Sequence, residues 1–579
     1  MGEHRVEILP DMTIEWDVPI PMDDGVVLRA DVFRPIGTGR HPVIMTHGPY
    51  GKNLSFSQGW PTQFNALTTA WPEVLERSSG RFHVWETVDP EKWVPEGYVC
   101  LRVDARGSGQ SPGYLNPFSP REIDDYAACI EWAGVQDWSD GKVGLNGISY
   151  YAITQWLVAA RQPRHLAAVC AWEGAADFYR DQTRHGGMLS TFWATLAPRQ
   201  IWRVQHGLGE RGLVSELNGG PVSGDITLSD EELAANRIDF AGEIRRHELE
   251  DAFHLDRSVD WSKVTVPFLS AANWAGQGLH GRGNFEAFGQ AASSEKFLEA
   301  HGYEHWTTFY TDYGREMQLR FFDNYLKGRD TWSDQPRVLL QVRHPGEKFV
   351  ERRAEDWPLP QTEWTPFYLE AEAESLSRTE PSDSGAATYD ALESSGLTFV
   401  YPPQDDAFEV TGPVAAKLWI SSSTTDADLF LTLRLFDPQG DEVLFAGSVD
   451  PRTPIGQGWL RASQRHLDSE RSLPWRPYHT HDRREPLSPG EPVELDIEIW
   501  PTSIVVPPRH TLALTVAGVD FDHGLGEDPI RPGMRGSAIF MHDDPADRPA
   551  ERFGGRVTVH TGGDMASRLL LPIISAEST

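Results

Sequence analysis

Apolar and polar positions alternate with a period of two from Thr13 to Val18 and again from Val26 to Phe33, with Asp23-Asp24-Gly25 between them. That pattern predicts a hairpin near the start of the chain. Short apolar runs follow at Pro42 to Thr46, Tyr98 to Val103, Val143 to Leu145 and Leu166 to Trp172. They are strand-length and bounded by turn residues, so they read as buried strands. Helical periodicity stands between them. One helix is predicted from about Pro120 to Trp138, and another after Ser149, where Ile153, Trp156, Leu157 and Ala160 recur at spacings of three and four. Buried strands alternating with amphipathic helices predict a mostly parallel sheet covered on both faces.

Asn53 to Pro95 shows neither period and reads as a long irregular segment. Phe178 to Trp261 is helical in pattern and carries Phe192, Trp193 and Trp202, as an inserted cap would. Sheet strands resume at Val264 to Ala272 and Lys296 to His301, before a helix from Tyr313 to Lys327. After about Gln335 the texture changes to alternating runs: Val338 to Val342, Thr365 to Leu369, Leu397 to Tyr401, Ala415 to Ile420, Leu429 to Phe436, Val493 to Ile499 and Thr511 to Val516. These predict an all-β sandwich of jelly-roll type. Glu370 to Gly396, acidic and rich in Ser and Ala, reads as a long mobile loop within it.

Composition narrows the partners. A net charge of −33 repels nucleic acid and anionic membrane, so neither is expected as a partner. Cys100, Cys129 and Cys170 lie inside apolar runs, an odd count that points to a reducing compartment. Met1 to Met12 has no apolar signal-like core and no run approaches a membrane span, so a cytoplasmic location is expected. Whether the chain is a monomer or a homodimer stays open.

In a sheet of this kind the reactive groups sit at the carboxyl ends of strands. Three loops qualify: Gly48 to Lys52, Asp104 to Ser111, and the stretch after Val143. The last reads Val143-Gly-Leu-Asn-Gly-Ile-Ser149-Tyr-Tyr-Ala152, a strand, a sharp turn with one serine at its apex, and a helix. That is the layout of a nucleophile elbow, in which the serine oxygen is exposed and the following N–H, here of Tyr150, faces a developing oxyanion. The second glycine usual two residues after the serine is Tyr151 here, and a serine in an ordinary strand-to-helix turn would give the same local string.

Several stretches together decide between these readings. Pro49-Tyr-Gly-Lys52, Val103 to Gly113 (VDARGSGQSPG), Glu131-Trp132, Gly147-Ile-Ser-Tyr150, Thr154-Gln-Trp156 and Asp177-Phe-Tyr-Arg180 occur in the first half. Thr425-Asp-Ala-Asp428, Gly458 to Ser463 and Ile499-Trp-Pro-Thr502 occur in the second. Jointly they resemble the cocaine esterase and X-Pro dipeptidyl-peptidase family of serine hydrolases over nearly the whole chain. The resemblance implies an α/β-hydrolase domain at 1–335 with a helical cap at about 178–262. A jelly-roll (galactose-binding-like) β domain then fills 336–579. It makes Ser149 the nucleophile, and the Tyr50 hydroxyl and Tyr150 N–H the oxyanion hole. Of His301 and His305, alignment places His305 as base and leaves His301 as a supporting or pocket residue. A metal reading of their His-x-x-x-His spacing is poor, because no helical pattern surrounds it.

The acid departs from the family pattern. The loop Asn273 to Asn284 has no carboxylate, and Gly276 stands where alignment on Trp274 expects the aspartate. A base without its orienting anion loses orders of magnitude in rate. The preceding strand ends in Ala171-Trp172-Glu173-Gly174, and an unpartnered charge directly after an apolar run costs desolvation energy. Glu173 is therefore the expected acid, with Asp177 the runner-up. Trp172, Trp274, Gln277, His280 and Arg282 are the expected substrate-binding residues. The loop His479-Thr-His-Asp482 suggests a metal only weakly and a hydrogen-bonded structural loop more strongly. The expected substrate is a small ester or amide, cleaved through an acyl-enzyme with no metal or organic cofactor. Two alternatives remain: an aminopeptidase or acylase of X-Pro dipeptidyl-peptidase type, and a non-catalytic binding protein on a decayed hydrolase scaffold.

Overall fold

The computed structural model describes residues 4–392, 395–447, 452–522 and 540–575. The opening hairpin forms as the alternation predicts. β2 (Thr13–Pro21) pairs antiparallel with β3 (Val27–Arg34), and β1 (Arg5–Ile8) adds outside β2. β4 (His41–Gly48), β5 (Val99–Asp104), β6 (Ser139–Ile148) and β7 (Leu166–Trp172) supply the buried parallel centre. A short ribbon, β8 (Arg184–His185) with β9 (Met188–Leu189), lies in the cap. β10 (Phe268–Asn273), β11 (Lys296–His301), β12 (Val338–His344) and β13 (Lys348–Ala354) complete an eleven-stranded sheet, ordered β1-β2-β3-β5-β4-β6-β7-β10-β11-β12-β13. The expected domain boundary near residue 335 thus precedes two strands that still belong to the first sheet. β12 pairs parallel with β11 through Leu298 and Val338, and β13 returns antiparallel to it.

Helices cover the faces where the 3.6 period put them. The helix Pro120–Gly134 begins at Ser119, whose side chain accepts the Glu122 N–H, and buries Ile123, Tyr126, Cys129, Ile130 and Ala133. It ends four residues short of Trp138. The helix Tyr150–Ala159 is buried at every position, which suits a segment packed between sheet and outer helices. The segment 53–95, expected to be irregular, is ordered by three short helices, Phe56–Gly59, Pro61–Ala70 and Pro90–Trp93. Its apolar residues Phe56, Trp60, Val84 and Trp85 are buried, so burial rather than periodicity fixes its path. The cap between β7 and β10 holds several short helices, among them Phe192–Leu196, Asp230–Ala235 and Phe240–Arg246.

The C-terminal domain is all β. Leu418, Ile420, Leu429, Leu431, Leu433, Leu495, Ile497 and Ile499 alternate inward and form its core. The long strand Phe408–Ser422 pairs with both Val493–Val506 and Arg568–Ile574, and the latter also pairs with Thr362–Glu370. These shared pairings curl the sheet back on itself into a barrel-like form. The acidic stretch from Glu370 to Gly396 is not one mobile loop. It carries strands Ser375–Ser377 and Gly385–Asp390, the second paired along its length with Arg556–Thr561. Burying Tyr389 and Ala391 accounts for that order. Buried ion pairs join the domains: Arg184 to Asp547 at 2.8 Å, and Arg282, itself held by Asp181, to Glu498 at 2.9 Å.

Candidate active site

Ser149 follows directly on β6 and precedes the helix Tyr150–Ala159, with φ 59° and ψ −116°. A non-glycine residue in that region is strained, and the surroundings hold it there. Its N–H donates to the Trp172 carbonyl at 3.0 Å, and its own carbonyl accepts from Ala152 and Ile153 at 2.9 Å. Gly147 is required by space, since a Cβ there would lie 2.6 Å from Tyr151 Cβ. The Tyr150 phenol is turned away and donates to Glu122 at 2.8 Å. What Tyr150 leaves toward the serine is a first-turn N–H with no intrahelical acceptor.

Tyr50 stands at the end of β4 with its ring edge-on to Trp60, Tyr150 and Tyr151. Burial, with Glu86, Tyr151 and Glu122 nearby, raises its pKa well above the ordinary value, so the phenol keeps its proton and remains a donor. The backbone that carries it is pinned two residues on. Lys52 Nζ contacts Asp17 at 2.6 Å and Asp31 at 2.7 Å, and the Lys52 N–H donates to Asp104 at 2.6 Å. Burial disfavours that ammonium, but its carboxylates outweigh burial and raise its pKa.

Beyond the serine lies a run of alternating carboxylates and imidazoles. Glu173, with φ 47°, directly follows β7; its Oε1 is 3.1 Å from His301 Nε2 and accepts a hydrogen bond from Asn273 at 3.3 Å. His301 Nδ1 is 2.6 Å from Glu299. Burial opposes a charge on His301, yet Glu299 and Glu173 push its pKa up to about 10. Burial alone would raise the Glu173 carboxyl. The hydrogen bond from His301, and then the fields of His301, His305 and His280, hold it below the usual range instead. His305 Nε2 is 3.0 Å from Oε1 of Glu86, a buried residue with φ 61° whose carboxyl is pushed up by burial.

Ser149, Tyr50, Tyr150, Glu86, His280 and His305 all line one cavity of about 670 Å³. Its walls combine aromatic rings (Trp60, Trp85, Phe192, Trp193 and Trp306, with Phe540 contributed by the C-terminal domain) and polar side chains, among them Gln63, Arg199, Gln200 and Arg203.

A solved CocE/NonD family hydrolase from Staphylococcus aureus is 34% identical, covers 97% of this chain with 94% of its own, and superposes with a TM-score of 0.84. The chain belongs to the CocE/NonD hydrolases. The X-Pro dipeptidyl-peptidase (S15 family) description matches residues 24–307, and the X-Pro dipeptidyl-peptidase C-terminal non-catalytic domain matches 330–570. The cocaine esterase of Rhodococcus sp. (strain MB1 Bresler) is 26% identical, over 97% of this chain and 99% of that protein. A putative serine esterase of Mycobacterium bovis is 25% identical over 92% of this chain and 94% of its own. Membership makes the chain an enzyme, a serine hydrolase of esters or peptide-type bonds, and removes the reading as a non-catalytic binder.

Within this CocE/NonD hydrolase, the loop after β10 explains why no aspartate stands at Gly276. The Gly281 and His280 N–H groups both donate to the Gly276 carbonyl, and a Cβ on Gly276 would lie 2.9 Å from the Gly281 nitrogen. That turn has no room for a side chain. Of the five residues expected at the substrate, His280 lines the cavity and the other four stand elsewhere. Trp172 packs behind it against His301, with its indole N–H on Cys170. Trp274 packs on Phe285 and Trp357 and donates to the Gln341 carbonyl. Gln277 closes the same turn by donating to the Trp274 carbonyl, and Arg282 is held in the ion pairs of the domain seam. The loop turns toward the second domain rather than into the cavity. Asp177 caps the segment Phe178–Thr183 and pairs with Arg180 at 2.7 Å. His481 Nδ1 meets Gln464 at 2.8 Å, the His479 carbonyl accepts from Arg180, and no metal-binding group of side chains occurs there among the described residues.

Sequence reasoning missed Glu86, Trp60, Trp85 and Phe540. The string Val84-Trp85-Glu86, a charge set against apolar residues, is the one local signal in its segment. Phe540 carries none, because its place follows only from how the second domain docks. Among the described residues no helix is long and apolar enough to cross a membrane.

Proposed function

We propose that this CocE/NonD hydrolase cleaves carboxylic esters through an acyl-enzyme on Ser149. The observation that carries the reading is a serine at positive φ, opening on a cavity that also holds Tyr50 and His305. His305 takes the Ser149 proton as Oγ bonds to the carbonyl carbon. The Tyr50 hydroxyl and Tyr150 N–H receive the oxyanion, and the departing alkoxide leaves with the proton from His305. Water then repeats the sequence and restores the serine. Glu173 acts as the anion of this set: it follows the neighbouring strand β7, is kept ionised, and lies within the field of His305.

A cavity of about 670 Å³ with aromatic rings in its walls suits an ester with a large apolar acyl or alcohol part. The names of the esterase relatives favour the same bond. An aminoacyl substrate is the second reading. It is favoured by Glu86, whose Oε2 is buried in the cavity wall with no hydrogen-bond partner within reach among the described residues and could take an ammonium group. The three cysteines are buried free thiols, which supports a reducing compartment and hence the cytoplasm.

A screen of p-nitrophenyl esters against aminoacyl p-nitroanilides, with fluorophosphonate labelling, tests this reading. Ester turnover and labelling, both abolished by Ser149→Ala, are expected. Absence of labelling in the native enzyme defeats it, and turnover of anilides alone transfers it to the second reading.

A further inference from the structure

His305 meets the cavity with Nε2 on a carboxylate. Glu86 Oε1 is 3.0 Å from that nitrogen, and both side chains are buried. Among the described residues the only ion pair of Glu86 is with His305. The Glu86 main chain points the other way. Its carbonyl accepts the N–H of Ile148, the residue immediately before Ser149, at 3.2 Å, and crowds the site of any Cβ on Gly147. One residue therefore touches the strand that presents the serine and the ring that would deprotonate it. Its φ of 61° shows that the loop is bent to put it there.

We propose that Glu86 is a positioning residue: it holds the His305 imidazole by the nitrogen that must serve Ser149, and so sets the pH at which the serine becomes reactive. The proposal rests on Ser149 and His305 being nucleophile and base. To accept the serine proton, the ring must be neutral and Nε2 must leave Glu86. An adjacent anion favours the imidazolium, so the carboxylate delays the reactive form to higher pH.

The other groups around the ring do not cancel this effect. Glu173, the anion of the proposed triad, favours the imidazolium as Glu86 does, and His301, charged between Glu173 and Glu299, only moderates it. His280, whose ring centre is 5.9 Å from that of His305, is kept neutral by burial, with a pKa of about 3. Trp85 and Trp306 pack against the ring without charge. On the Glu86 side, burial keeps Tyr50, Tyr151 and Tyr310 protonated. Arg199 and Arg203 line the same cavity, but among the described residues neither forms an ion pair with Glu86, which stays the carboxylate in contact with Nε2.

The test is the pH dependence of two rates on the full chain: kcat/KM for a p-nitrophenyl ester and second-order labelling by a fluorophosphonate. In the native enzyme the acidic limb should have its midpoint above that of a variant without the Glu86 charge, since burial of the ring, which favours the neutral form, acts on both. Glu86→Gln keeps the shape and removes the charge, and should lower that midpoint by about one pH unit. Glu86→Asp should stay nearer the native profile. An unmoved midpoint in Glu86→Gln overturns the proposal, and if Glu86→Gln does not fold, Glu86→Ala read in the same way decides the matter. A native enzyme that fails to label at any pH sinks the reading of Ser149 itself, and this proposal with it. Labelling that proceeds with an unshifted profile sinks the proposal alone.

Discussion

The ring of Tyr151 fills the space that a side chain on Gly48 would need: a Cβ there would lie 2.7 Å from Tyr151 Cε1. This relationship explains how an elbow works with a tyrosine where a second glycine is usual. The room normally made two residues after the serine is made instead at the end of β4. Gly48→Ala should push the ring against the elbow and destabilise the enzyme by about 1–3 kcal/mol, the usual cost of overpacking. Urea unfolding reads the loss, and fluorophosphonate labelling should slow in the same variant. A variant as stable and reactive as the native chain would show that the ring has another place to go.

Tyr50 and Lys52 separate chemistry from scaffold within one turn. On the proposed mechanism Tyr50→Phe removes an oxyanion donor, and it should lower kcat by roughly 10²–10³-fold while leaving the unfolding midpoint near native. Lys52→Met leaves Asp17 and Asp31 as uncompensated buried charges and should cost about 3–5 kcal/mol of stability. If Tyr50→Phe instead lowers stability and spares turnover, the phenol is a packing residue and the oxyanion assignment fails.

Glu173 and Asp177 are both buried carboxylates close in sequence, but they touch different things. Glu173 faces the histidines, whereas Asp177 caps its own segment and holds Arg180. Glu173→Gln should therefore cut kcat by up to about 10⁴-fold with modest loss of stability, the scale set by removing a triad anion. Asp177→Asn should show the reverse balance. Parallel kcat and chemical-denaturation measurements on the two variants distinguish them, and a Glu173→Gln enzyme with near-native turnover ends its assignment as the acid.

How much of this was legible beforehand depended on the range of the interactions involved. The strands β2 to β7, β10 and β11, the hairpin and the elbow follow from local period and turn residues, and β7 and β11 fall on the expected residues, whereas β1 is not expected and β12 is expected in the second domain. The strands Ser375–Ser377, between two neighbours, and Gly385–Asp390, at the sheet edge, lay hidden because short, polar, half-exposed strands have little apolar alternation to show. The parallel-sheet rule pointed to the loops that carry Tyr50 and Ser149, and the charge after an apolar run pointed to Glu173, but the family resemblance singled out Tyr50 and chose His305 over His301. The cavity walls could not be located in these ways. Trp60, Trp85 and Glu86 sit in a segment ordered by tertiary burial, and Phe540 arrives from another domain. Trp274 and Arg282 looked like pocket residues because the loop after β10 was assumed to face the cleft, and only the tight Gly276–Gly281 turn directs it to the seam.

His301 makes stability depend on alkaline pH. Glu299 and Glu173 outweigh burial and raise its folded-state pKa to about 10, from an ordinary value of 6.5. Between those values the folded protein holds a proton that the unfolded chain has released, so unfolding free energy must fall as pH rises across this window. Below the ordinary histidine value the full contribution is present, and above the folded value it is gone. Glu173, whose pKa is lowered, works in the opposite sense and contributes stability that is lost only on acidification. In His301→Gln the alkaline decline should flatten, because no proton is left to release there. Urea midpoints at pH 7 and pH 9.5 for both proteins read the difference directly. An equal decline in the two would mean that His301 is not charged in the folded enzyme, and that Glu173 is balanced by some other group.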